Sequence, residues 1–435
     1  MGRHSSDGLS PARRRNILGA LRRGTVPAEG LDQLAVGLDH LGPVIEEELS
    51  SVAGGAGMFK AIRGEYGAGK TFAARWIEQH ALQAGFAVAE VQISETDTPL
   101  HKLETVYRRT TEEMRTTASP TRAFRDVLDA WLAAVDLDAE SSGRDRGDVI
   151  DERLSSVAQV APEFPLALSG YLRAGEDDDV EMADGLAAWL GGQSNVSASV
   201  KRYAGIKGEL DKFTATGFLR GLVEILRGSG QSGLLLVLDE VETLQRMRTD
   251  TREKSLNALR QWLDEISNDR YPGLYLLITG TTAFFEGGQG VKRLQPLYDR
   301  LRVDFSGDPR WDNPRDVQVR LQSFDHERLV AVGCRVRDIF VDGLAPEVAS
   351  RVGSAVDDAY IADLADAVAG ELGGRVGVAP RIFLRTVVDV LDRVELHADF
   401  DPRADYTVKV ADGEPGARTA APADASLADP DAISF

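Results

Sequence analysis

Four stretches of the chain gather apolar residues into short runs that open on glycine: GMFKAIRG (Gly57–Gly64), GFAVAEVQIS (Gly85–Ser94), GLLLVLDEVETL (Gly233–Leu244) and GLYLLITGT (Gly273–Thr281). Runs of this length predict strands, and the last two, apolar almost throughout, suit parallel strands covered on both faces. Between the first two, apolar residues return at helical spacing. Strand, glycine loop, helix and strand make one βαβ unit, whose strands run parallel.

From Thr98 to Arg227 the three-to-four spacing dominates, as in TRAFRDVLDAWLAAV and TGFLRGLVEILRG. This predicts a helical insert, about 119–230, ahead of the third strand. Within it GEDDDVE (Gly175–Glu181) reads as a solvated loop or helix start. After Trp311 no strand-like run of comparable strength occurs, and FDHERLVAVGCRVRDIF, VDDAYIADLADAVAGEL and PRIFLRTVVDVLDRVELH predict amphipathic helices of a separate domain. Near the N-terminus two short helices are expected, broken around Gly24 and Pro27, after about a dozen disordered residues. From Asp401 the chain turns rich in Ala, Asp and Pro, the composition of a disordered tail. The expected division is an N-terminal arm and helix over 1–30, an α/β domain with its insert over 31–310, a helical lid over 311–400 and a largely disordered acidic tail over 401–435.

Composition narrows the class. The chain has 435 residues, enough for two or three domains of ordinary size. No run of about 18 apolar residues is present, so no membrane span is expected, and the arginine-bearing start lacks the apolar stretch of an export signal. The single cysteine, Cys334, excludes a disulfide framework, and a reducing cytoplasm fits. A net charge of −19 opposes adhesion to nucleic-acid phosphates over most of the surface, so any DNA contact must be local.

The candidate chemistry begins between the first predicted strand and its helix. Gly64-Glu65-Tyr66-Gly67-Ala68-Gly69-Lys70-Thr71 satisfies the phosphate-binding pattern G-x-x-x-x-G-K-[S/T], with Phe72 next in the helix. The glycines let successive backbone N–H groups face an anion, continuing into the helix N-terminus. Lys70 offers a cation to the β- and γ-phosphates of a nucleotide, and Thr71 a hydroxyl to Mg²⁺. Chance alone yields on the order of 0.01 such matches in a chain of this composition.

Asp239 and Glu240 end the third strand, at the carboxyl edge where open α/β sheets bind ligands. Asp239 suits a Mg²⁺ partner, and Glu240 a residue that orients and polarises the attacking water. The fourth strand ends in Thr279, Gly280 and Thr281, where a hydroxyl can sense the γ-phosphate; Thr279 is the first candidate and Thr281 the second. Arg300, Arg302 and Arg381 are candidates to neutralise charge on the transferring phosphoryl group.

This strand order, the DE pair, a polar sensor strand and a C-terminal helical segment containing APR together resemble the AAA+ ATPases, nearest to the origin-recognition and signal-transducing branches. The resemblance implies a P-loop NTPase fold: an α/β parallel sheet flanked by helices, with a helical insert and a C-terminal helical lid. It implies Val36 and Gly37, in AVGLDH, near the adenine, Arg381 as second sensor, and Arg300 or Arg302 near the finger position. More specifically, ALRRGTVPAEGLDQLAVGLDH, RGEYGAGKTF, VQISETDTPLHKLETVYRR and FLRTVVDVLD resemble the BrxD family of ATP-binding proteins from bacteriophage-exclusion (BREX) systems. That implies an ATPase using ATP and Mg²⁺ as a switch or motor in antiphage defence, beside other defence proteins, one of them helicase-like, with self-association as a further implied partner. The alternative is a DNA loader like the origin-recognition proteins, with a basic face from Arg13, Arg14, Arg15, Arg22 and Arg23. A small-molecule kinase is a third reading, disfavoured by Glu240 and the absence of an acceptor signal.

Overall fold

The computed structural model describes residues 9–371 and 380–408. It divides into two compact units, one of Gly37–Gln322 and one of Met1–Val36 with Ser323–Phe435.

In the first unit five parallel strands form one sheet in the order β2-β3-β4-β1-β5. They are β1 Met58–Arg63, β2 Ala87–Gln92, β3 Leu234–Asp239, β4 Leu274–Gly280 and β5 Gln318–Arg320. Every residue of β3 and β4 is buried, as their continuous apolar runs require. Each leucine or valine so covered contributes about 1.5–3 kcal/mol of burial free energy. The polar letter of β1, Lys60, is buried too. Its ammonium meets Glu48 Oε1 at 2.8 Å and donates to the carbonyls of Pro314 and Asp316 at 2.7 and 3.2 Å. Glu48, on helix Gly42–Ala53, also accepts from the Tyr275 hydroxyl of β4 at 2.6 Å, so one carboxylate ties that helix to two strands.

β5 lies after Trp311, in the stretch expected to open the helical lid, where no run as strong as the other four announced a strand. It is only three residues long and not strongly apolar, and it exists because β1 offers a free edge: Ala61, Ile62 and Arg63 stand opposite Gln318, Val319 and Arg320. Periodicity within a segment carries no trace of such pairing.

The stretch between β2 and β3 is helical from Leu103 to Gly228. Its core centres on Phe218, which meets Tyr107, Phe164 and Trp189 edge-on at ring separations of 5.1–5.6 Å. Tyr107 satisfies its buried hydroxyl by donating to Leu190 O at 2.8 Å. GEDDDVE is the expected break: helix Glu163–Glu176 ends and helix Val180–Leu190 begins, capped by Asp179.

The second unit joins helix Pro11–Arg22 to helices His326–Val341, Pro346–Ala355, Asp358–Glu371 and Pro380–Leu396. Pro11 and Ala12, expected to be disordered, belong to the first turn, because Ser10 caps it by accepting from Arg13 N and Pro11 sits where no N–H is needed. Arg22 grips Asp392 through two hydrogen bonds of 2.7 and 2.6 Å. Of the tail expected to be largely disordered, 401–408 is described and Pro402–Asp405 forms a short helix capped by Asp401, whereas residues 1–8 and 409–435 lie outside the described residues.

Candidate functional site

Three chain segments end at one edge of the sheet. β1 delivers Gly64, β3 delivers Asp239 and Glu240, and β4 delivers Thr279. Gly64 has no room for a side chain, since a Cβ there would stand 3.0 Å from Ala68 Cβ and 3.3 Å from Leu321 Cβ. Gly67 and Gly69 take φ of 79° and 88°, the left-handed region that glycine enters at least cost. Lys70 then opens helix Lys70–Gln83, with Phe72 half-buried in its first turn. The result is a loop leading into an uncapped helix N-terminus, an anion-binding arrangement.

The carboxylate of Asp239 holds the centre. Its Oδ2 accepts from the Thr71 hydroxyl at 3.2 Å, and its Oδ1 from the Thr279 hydroxyl. Thr279 oxygen in turn accepts from the Glu240 backbone N–H at 3.2 Å. Glu240 has φ 59°, a left-handed conformation unusual for a glutamate, which turns the chain sharply off the strand. Gln92, at the end of β2, donates to Glu240 Oε2 at 3.0 Å. Thr281 has a different duty: its hydroxyl accepts from Phe284 N at 3.3 Å as the cap of helix Thr282–Glu286. Of the two threonine candidates, Thr279 is the one joined to the Asp239 carboxylate.

Lys70 donates to the carbonyls of Gly64 and Glu65 at 3.1 and 3.3 Å, and its ammonium lies 5.2 Å from the centroid of the Tyr66 ring. The Tyr66 hydroxyl accepts from Arg246 at 3.2 Å. The acid and the aromatic within the loop thus have local partners, Glu65 through its backbone and Tyr66 through its ring and hydroxyl. Ala68 is buried, whereas Glu65, Tyr66 and Gly67 face outward.

A carboxylate that the sequence did not single out completes the cluster. Glu242, in the 3-10 turn Val241–Arg246, is 6% exposed and places Oε1 3.7 Å from Lys70 Nζ. Burial raises its pKa above the ordinary glutamate value, opposed by Lys70 and by its own backbone N–H and reinforced by Glu240 and Asp239. Nothing in DEVETL distinguishes Glu242 from a surface acid; its burial follows from the turn folding back after Glu240. Gln92 and Arg246 were equally invisible, being single polar letters at element ends.

Thr71 and Asp239 together offer oxygen ligands only, the donor set of a hard cation such as Mg²⁺. Among the described residues no group of three or more His, Cys, Asp or Glu is arranged to hold a metal. A cation here would therefore take its remaining ligands from phosphate oxygens and water.

The Arg300 guanidinium is engaged with Asp264 and with Pro296 O, while Arg302 is exposed. Val36 ends one segment of the second unit and Gly37 opens the first unit. Arg381 is exposed at the start of helix Pro380–Leu396 in the second unit, its stem beside Gly24. In the same unit Arg13, Arg14 and Arg22 pair with Glu29, Asp342 and Asp392, although Arg13 and Arg22 are exposed like Arg15 and Arg23, the other members of the expected basic face.

The family model described as BREX system ATP-binding protein BrxC/D matches residues 9–410. The chain belongs to this family. No curated protein and no solved structure matches it. Membership makes this an ATP-binding protein of BREX defence, with other BREX proteins as its partners. No helix among the described residues is long and apolar enough to cross a membrane.

Proposed function

We propose that this BrxC/D-family protein is an AAA+-type, Mg²⁺-dependent ATPase that works as a nucleotide-controlled switch or motor in its defence complex. The observation that carries the reading is the convergence of Thr71 and Thr279 on the two oxygens of Asp239, beside Lys70 and Glu240. Gly64 to Thr71, with Phe72 behind them, would receive the phosphates. Mg²⁺, held by Thr71 and through Asp239, would neutralise the β- and γ-phosphate oxygens. Lys70 adds a second positive charge there. Glu240 orients a water for attack on the γ-phosphorus and takes its proton, as the bond to the ADP oxygen breaks. Thr279 fixes the Asp239 carboxylate and, through the Glu240 N–H, the backbone that carries the base.

The test separates binding from turnover. Lys70→Ala should abolish ATP binding, whereas Glu240→Gln should bind ATP and release no phosphate. Wild-type turnover in Glu240→Gln would overturn the assignment. The DNA-loader reading is less favoured, because three of its five arginines are paired with acids in their own unit.

A further inference from the structure

Glu242 is costly to bury and poorly rewarded. A carboxylate removed from water needs a counter-ion and hydrogen bonds to both oxygens. Apart from its own backbone N–H, the neighbour that stabilises its charge is Lys70, at 3.7 Å from Oε1 and beyond hydrogen-bond reach, and the buried Oε2 has no hydrogen-bond partner among the described residues. An apolar side chain of similar volume would serve packing at least as well. Lys70, meanwhile, is surrounded by oxygens: two loop carbonyls and Glu242, a partial imitation of the phosphates that the loop is shaped to hold.

We propose that Glu242 is the internal counter-ion of Lys70, which the phosphates of a nucleotide must displace. Resting on the ATP-site reading above, the proposal makes Glu242 a positioning residue that lowers nucleotide affinity and speeds product release. Two effects act in the same direction. Binding takes Lys70 away from a buried carboxylate, and it brings polyphosphate charge toward that carboxylate where water screens little. The charge of Glu242, and not its shape, is what matters.

Removing that charge should tighten binding. Glu242→Gln is expected to raise affinity for ADP and ATP about tenfold, equivalent to roughly 1.4 kcal/mol, mainly through slower dissociation of a fluorescent ADP analogue. Glu242→Met, which has no hydrogen-bonding group, should show the same direction. A second readout needs no nucleotide. In the empty protein Lys70→Met should lower the melting temperature, because it strands the buried Glu242 charge, and should lower it much less in a Glu242→Gln background. Unchanged or weaker ADP affinity in a folded Glu242→Gln protein, or additive melting shifts in the double variant, would overturn the proposal. If wild-type protein binds neither ATP nor ADP, it is the ATP-site reading that fails, and the Lys70–Glu242 coupling remains measurable.

Discussion

The Thr71 hydroxyl donates to Asp239 Oδ2 at 3.2 Å, joining the first turn after the glycine loop to the end of β3 across 168 residues of chain. Both oxygens are suited to the same cation, so Thr71→Val should weaken ATP binding in Mg²⁺ by about tenfold and change it little in EDTA. Titration of a fluorescent ATP analogue under the two conditions measures this. Equal losses in both would mean that Thr71 shapes the loop and serves no metal.

Thr279 and Thr281 separate by function. Thr279 is fully buried and links Asp239 to the Glu240 N–H, so Thr279→Val leaves two groups short of a partner. A loss of about 1–3 kcal/mol in stability and a marked fall in turnover are expected, with ATP binding retained. Thr281→Ala should cost about 1 kcal/mol through its lost helix cap and leave turnover intact. Denaturation curves and phosphate release on both variants check the pair.

Gln92 holds the Glu240 carboxylate with one amide donor. A hydrogen bond of this kind is worth about 0.5–1.5 kcal/mol. Releasing it in Gln92→Ala should raise turnover without added partners by roughly two- to tenfold, at unchanged ATP affinity. A fall in turnover would show instead that Gln92 supports the working position of Glu240.

Glu78 predicts a pH dependence. It lies on helix Lys70–Gln83, 1% exposed, and burial pushes its pKa up from 4.5 to about 8 against the pull of Arg115. The folded state thus favours the neutral acid. The stability this contributes is complete below about pH 4.5 and is lost as pH rises toward 8. Glu78→Gln, neutral throughout, should gain on wild type steadily across that window in urea denaturation. A difference independent of pH would contradict the assignment.

How much of this was legible in the sequence depends on whether a residue's neighbours in space are its neighbours in the chain. The loop from Gly64 to Thr71 works through consecutive residues, and β3 and β4 announce themselves by unbroken apolar runs. Asp239 and Glu240 could be placed because a strand has a definite end. Glu242, Gln92 and β5 were not visible for the opposite reason. Glu242 faces Lys70 from 172 positions downstream, Gln92 meets Glu240 across two strands, and β5 owes its conformation to β1. No local pattern of polarity encodes such meetings. Arg300 and Arg302 were indistinguishable as letters, yet one is engaged with Asp264 and the other is exposed.

The strand order has a consequence for how the protein is made. β1 and β2 flank the glycine loop in sequence but are not neighbours in the sheet: β2 waits for β3, and β1 for β4 and β5. At ribosomal speeds of about 5–20 residues per second, the helical insert keeps β2 without its neighbour for on the order of ten seconds. During that time two apolar strands have bare edges, and the phosphate-binding loop between them has no frame. The insert can form its own core around Phe218 meanwhile, so its helices are positioned to shield β2 while the ribosome completes the sheet. Mutations that weaken the insert should therefore show first as aggregation of newly made chains, before any defect in the finished protein.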